Sequence, residues 1–156
     1  MPTRADITPV PLSLVETDLA QAADRFGDSF RRTGFAVVEG HGIPQDMIEG
    51  AWDAARRFFA LPDEVKRRYH LPGGAGQRGY TPFGVETAKG AKLSDLKEFW
   101  HVGRDLPAGH RFADIMAPNI WPDDVLPEFR PAFQALFGAL QATGLRVLQA
   151  IAVHLG

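Results

Sequence analysis

The chain has 156 residues, enough for one hydrophobic core, with 45% hydrophobic and 23% charged residues and a formal net charge of -2. That balance excludes a disordered polymer and, with both signs interspersed, leaves no basic stripe for nucleic acid. Cysteine is absent, which excludes disulfides and thiolate zinc sites and accords with a cytoplasmic location.

No uninterrupted apolar run has membrane-spanning length, and Met1–Asp6 shows no apolar stretch behind its charge. Neither a membrane nor nucleic acid is therefore expected as a partner. Ile7–Leu14 carries Pro9 and Pro11 and reads as a short edge strand, since proline cannot donate to a central ladder. Thr17 as a cap, Asp18 in the first turn, and Leu19, Ala22, Ala23, Phe26 and Phe30 at helical spacing predict a helix over 17–33, stopped by Gly34. Phe35–Val38 is short, apolar and bounded by glycine, the pattern of a buried strand. Gly40–Ile43 forms a turn. Pro44 opens a second helix over 44–60, with Ile48, Ala51, Trp52, Ala55, Phe58 and Phe59 as its apolar stripe.

Leu61-Pro62 breaks that helix, and Pro62 starts a short charged one through Arg68. Leu71–Gly90 is glycine-rich and reads as an extended loop or hairpin. Lys97–Val102 is a third strand and Pro107–Pro127 a loop. The adjacent acids Asp123 and Asp124 read as favouring the positive N-terminal end of the helix that follows. That helix covers 131–155, marked by Phe133, Leu136, Phe137, Leu140, Val147, Leu148, Ile151 and Leu155. The fold class is α+β: a single domain, 1–156, rich in helices, with a few short strands and a long C-terminal helix.

Gly74–Gly79 matches G-x-G-x-x-G, but a short helix precedes it and Tyr80-Thr81-Pro82 follows. Phosphate binding needs that loop between a strand and a helix N-terminus, so a plain loop is the better reading. The five histidines are His41, His70, His101, His110 and His154, and none has an acid two residues later. The His-x-Asp or His-x-Glu pattern of iron(II) oxygenases and the His-Glu-x-x-His of zincins are both missing, which leaves only a site assembled from distant histidines as an alternative to packed or surface histidines. No serine sits in a G-x-S-x-G elbow. The suggestive residues lie in the middle of the chain. Arg78 suits a carboxylate, and Tyr80 and Trp100 each offer an apolar face with a polar tip. They are candidate substrate-binding residues; the alternative is a solvated loop held down by two aromatics.

The order of motifs resembles the N-terminal region of the isopenicillin N synthase-like dioxygenases. The carrying residues are Thr8–Leu14, then Gly34–Pro44 with its His-Gly turn, then Phe58–Lys66, which is similar to the family's "FFxLPxExK". Arg78-Gly79-Tyr80 with Glu86, Asp95–Phe99, Asn119–Pro122 and Pro127–Arg130 follow in family order. One departure is Gly40, where the family often has Asn before the histidine.

The resemblance implies a dioxygenase ancestry, with iron(II) and 2-oxoglutarate as cofactors of a complete protein and a small organic molecule as its substrate. In the family the metal ligands and the co-substrate motif lie downstream of the long helix, on a double-stranded β-helix that these 156 residues do not include. The expectations are therefore that this chain alone binds neither cofactor and is inactive by itself. It supplies scaffold and, through Arg78, Tyr80 and Trp100, part of a substrate wall. Its apolar helix faces are covered by the missing C-terminal half or by self-association. The competing expectation is a catalytically inactive, stand-alone interaction module.

Overall fold

The structure is a computed structural model that describes residues 7–87, 90 and 93–156. By its contacts the chain forms two compact units, Met1–Gln45 with Gly138–Gly156 and Asp46–Phe137.

In the first unit, β1 (Val10–Pro11) pairs in parallel with β2 (Val38–Glu39), Val10 opposite Val38. Val10 N–H donates to Val37 O and Leu12 N–H to Glu39 O, at 2.8 and 2.9 Å. The bonds fall on alternate residues, so Pro11 between them needs no donor. Between the strands come α1 (Leu14–Thr17) and α2 (Leu19–Thr33). The cap of α2 is Asp18, not Thr17: its carboxylate accepts from Gln21 N–H at 3.0 Å. Thr17 instead ends α1, donating its hydroxyl to Ser13 O. Gly34 closes α2 in the left-handed conformation at φ 76°.

The strand after it is displaced from the expected Phe35–Val38. The hydroxyls of Ser29 and Thr33 both donate to Phe35 O, at 2.8 and 2.9 Å. They hold the chain back against the helix end, so pairing starts only at Val38 and Phe35 stays 70% exposed. Val10, Leu12, Val15, Ala22, Phe26 and Ala150 form the buried core of this unit. His154 rests its ring directly over Gly27, where a Cβ would collide with the imidazole.

The second unit holds α3 (Gln45–Phe59), α4 (Asp63–Lys66) and a single 3-10 turn at Arg67–Tyr69. It also holds the antiparallel strands β3 (Gly79–Thr81) and β4 (Phe99–His101). Its core is aromatic and centred on Phe58, whose ring meets Trp100 at 4.7 Å, Phe129 at 5.5 Å, Tyr80 at 5.8 Å and Tyr69 at 5.9 Å. Trp52, expected on the apolar stripe of α3, is 63% exposed.

Helix α5 (Phe129–Leu155) begins in this unit and ends in the first. Its 27 residues span about 40 Å. By length and composition it is apolar enough to cross a membrane, contrary to the expectation from uninterrupted runs. Gln134, Gln141, Thr143 and Arg146 break the run without making the helix polar. Phe129 and Phe133 pack with the core of the second unit and Val147 and Ala150 with that of the first, but Leu140, Leu145, Leu148 and Leu155 are exposed. Asp123 and Asp124 do not act through its dipole alone. Asp123 pairs with Arg130, while Asp124 pairs with Arg68 and accepts from the Tyr69 hydroxyl.

Candidate functional site

Strands β3 and β4 form a two-stranded ribbon with Tyr80 opposite Trp100, Thr81 opposite Phe99 and Gly79 opposite His101. Side chains alternate across a strand, so the ribbon has two distinct faces. Tyr80 and Trp100 share one; Thr81, Phe99 and His101 share the other. The turn into β3 depends on Gly79. Its φ is +68°, and a Cβ would lie 2.5 Å from Tyr69 O and 3.1 Å from Ile120 Cδ1. Only glycine fits that backbone and that gap.

The Tyr80–Trp100 face is closed by the aromatic core, and behind it sits a buried polar network. Glu98 Oε2 accepts from Tyr80 Oη at 2.5 Å and from Lys66 Nζ at 2.8 Å. Lys66 is only 4% exposed, and its ammonium also faces Asp63 at 3.1 Å. Burial alone would lower the Lys66 pKa; hydrogen bonds to Glu98 and Asp63 outweigh it and hold the pKa above the ordinary lysine value. Burial, with the Glu98 carboxylate beside it, pushes the Tyr80 phenol well above its usual range. Tyr69 is pushed up to about 12, first by burial and then by its hydrogen bond to Asp124. That bond, followed by Arg68, holds the Asp124 carboxyl below its ordinary value.

The three residues singled out from sequence are thus placed as follows. Tyr80 is 1% exposed and its hydroxyl is engaged by Glu98. Trp100 is half-buried, and its indole Nε1 has no hydrogen-bond partner among the described residues. Arg78 lies apart from them. Its Nε donates to Ala117 O at 2.9 Å, its Nη1 to Gln77 O at 2.6 Å, and its guanidinium crosses Gly103. The structure therefore brings Tyr80 and Trp100 together and gives Arg78 backbone carbonyls. Sequence reasoning missed Thr81, which the period-2 alternation within Gly79–Thr81 would have assigned to the opposite face from Tyr80.

The histidines are held locally. His41 Nδ1 accepts from Ile43 N–H at 3.0 Å, and His70 Nδ1 lies 3.0 Å from Tyr80 O. His101 Nδ1 engages Gly76 O, and His110 Nδ1 accepts from Phe112 N–H at 3.2 Å. Among the described residues no three His, Cys, Asp or Glu side chains are grouped to hold a metal ion.

Comparison with known proteins gives a consistent picture. The family model described as "non-haem dioxygenase in morphine synthesis N-terminal" matches residues 6–124. A 2-oxoglutarate-dependent dioxygenase of Aspergillus niger, caaD, is 36% identical over 124 residues, covering 79% of this chain and 38% of that protein. Another, eupC of a Phoma species, is 30% identical over 159 residues, covering 96% of this chain and 50% of its own length.

Among solved structures, a Caulobacter crescentus protein described as of the 2OG-Fe(II) oxygenase family is 49% identical with a TM-score of 0.85. It matches over 97% of this chain and 49% of its own. A full-length Neurospora crassa protein solved in complex with alpha-KG is 26% identical with a TM-score of 0.76, over 97% and 49% of the two chains. The chain spans about half the length of the relatives it matches.

Proposed function

Because the chain belongs to the family of non-haem dioxygenase N-terminal regions, we propose that it is the N-terminal part of a 2-oxoglutarate- and iron(II)-dependent oxygenase acting on a small organic molecule. It contributes scaffold and one wall of the substrate pocket. The observation that carries this reading is the match of 97% of the chain to half of an oxygenase-family structure at a TM-score of 0.85. In this reading iron and 2-oxoglutarate supply the oxidising chemistry from the remaining half. The described residues of this chain do not group to hold the iron: the five histidines are tied to backbone groups or packed on neighbours, with no carboxylate grouped beside two of them.

The wall is the β3–β4 ribbon. Arg78, Tyr80 and Trp100 build it, and a fixed wall positions a substrate and excludes water better than a loop does. Tyr80 and Trp100 act from behind through the aromatic core, and Arg78 by strapping the approach to β3 across Gly103.

The test is anaerobic titration of the 156-residue chain with iron(II), then an oxygen-electrode assay with 2-oxoglutarate. Neither micromolar binding nor co-substrate-dependent oxygen uptake is expected from this chain, and either would overturn the division of labour. Reading the gene beyond the Gly156 codon is the companion test. A continuation bearing His-x-Asp and a later His supports the proposal. A stop codon overturns it in favour of an inactive interaction module.

A further inference from the structure

The face of the ribbon that the aromatic core leaves open has its own cavity, of about 230 Å³. Thr81, Phe99 and His101 line it from the strands, Ala75 and Gly76 from the loop before β3, and Val85 from the loop after it. The Phe99 and His101 rings lie with centroids 4.8 Å apart at an interplanar angle of 57°, and the face of Phe99 forms one aromatic side of the cavity. Gly76 keeps the space open: a Cβ there would meet Thr81 Oγ1 at 3.0 Å and Phe99 Cζ at 3.3 Å.

Thr81 is 1% exposed, and its hydroxyl has no hydrogen-bond partner among the described residues. A buried hydroxyl is normally satisfied, and one left without a partner costs free energy. Each of the other polar side chains at this cavity has at least one partner. Glu86 is neutralised by Lys97 at 2.6 Å, Thr87 Oγ1 donates to Ser94 Oγ at 3.3 Å, and His101 Nδ1 engages Gly76 O.

We propose that this cavity is a ligand subsite for a small, neutral aromatic ring carrying a hydroxyl or carbonyl, stacked on Phe99 and hydrogen-bonded to Thr81. The charges disfavour an anionic ligand, because Lys97 is shared by Glu86 and Asp95 and offers no unpaired charge, and the apolar ring faces favour a neutral one. The aromatic wall selects the flat ring. The orphan hydroxyl selects a ring with a polar edge. The volume is below that of a drug-sized site, so the subsite takes one ring or the ring-bearing end of a larger molecule. The inference deepens the reading given above and rests on it only for the meaning of the subsite as part of a substrate wall.

The experiment titrates the 156-residue chain with phenol and, separately, with toluene, following the backbone amides of Thr81, Phe99 and His101 by NMR. Phenol is expected to bind roughly five-fold more tightly than toluene, the worth of one net hydrogen bond. Thr81→Val keeps the shape and removes the hydroxyl. It should erase the phenol preference while leaving the melting temperature equal to or above that of the parent, because no internal hydrogen bond is lost. Val85→Trp fills the rim from a half-exposed loop position and should abolish binding of both probes.

Equal binding of the two probes by the parent, or a preference that survives Thr81→Val, overturns the proposal. So does a lower melting temperature in Thr81→Val, which would make the hydroxyl structural. The readout is binding to this chain alone, so failure here leaves the oxygenase reading standing, and failure of the oxygen assay leaves the subsite standing.

Discussion

The Tyr80 hydroxyl lies 2.5 Å from Glu98 Oε2, tying β3 to the residue immediately before β4. Lys66 reaches the same oxygen from the end of α4 at 2.8 Å. One carboxylate therefore joins three elements of the second unit, and both partners that meet it are almost wholly buried. Removing it exposes the asymmetry of buried ion pairs, in which the stranded charge costs more than the pair contributed.

Glu98→Gln should destabilise the chain by about 3 kcal/mol, because Lys66 loses its buried counter-charge and keeps only Asp63. Tyr80→Phe removes one neutral donor and should cost about 1 kcal/mol. Urea unfolding followed by tryptophan fluorescence separates the two. Equal losses would mean that the carboxylate matters only as the acceptor for Tyr80.

Stability should fall on the alkaline side. Tyr69 and Tyr80 both hold their protons above the ordinary tyrosine value, Tyr69 to about 12. The unfolded chain releases those protons near pH 10, so above that pH the unfolded state binds fewer protons and is favoured. Lys66 acts in the same direction. Its raised pKa contributes stability that is complete below about pH 10 and is lost as pH rises through the folded value. Melting temperatures taken from pH 8 to 12 should be level at first and then drop beyond about pH 10. In Tyr69→Phe the drop should be shallower, and an unchanged slope would remove Tyr69 from the account.

Asp18→Ala should cost about 1 kcal/mol, the usual worth of a helix cap, and Thr17→Ala clearly less. Thermal melts of the two variants decide it; the reverse order would restore Thr17 as the cap.

This pair shows what the sequence carries and what it does not. The existence of α2, α3 and α5 is written in apolar spacing, and Gly34 marks an end without ambiguity. The start of α2 is not, because Thr17 and Asp18 are both good caps and only the intervening α1 decides between them. Pairing of Val38 rather than Phe35 depends on where the Ser29 and Thr33 hydroxyls hold the backbone. No apolar pattern encodes that.

At the candidate site, the choice of Tyr80 and Trp100 followed residue type, and the two do meet across the ribbon. What type could not show is which face of the ribbon the core covers. That depends on Phe58 and Phe129, far away in sequence.

Leu145, Leu148, Ala152 and Leu155 follow one another along one side of α5 and are all exposed. An apolar stripe of that kind seeks cover. The purified chain should therefore bind a hydrophobic dye and sediment as more than a monomer. Leu145→Glu with Leu148→Glu should reduce both signals. Their core-facing neighbours Val147 and Ala150 are untouched, so the helix itself should persist. A dye-silent monomeric parent would show that the stripe needs no partner.

The two faces of the β3–β4 ribbon bear on how such a chain can change. Tyr80 and Trp100 answer to the aromatic core, where an altered ring disturbs the packing around Phe58. Thr81, Phe99 and His101 stand on the other side of the same backbone, and the cavity they line is not part of that core. Selectivity can thus drift in steps of single residues on one surface while foldability is guarded on the other, so that a mutant library confined to positions 85, 99 and 101 should lose few members to misfolding, whereas position 81, buried, should tolerate only small side chains.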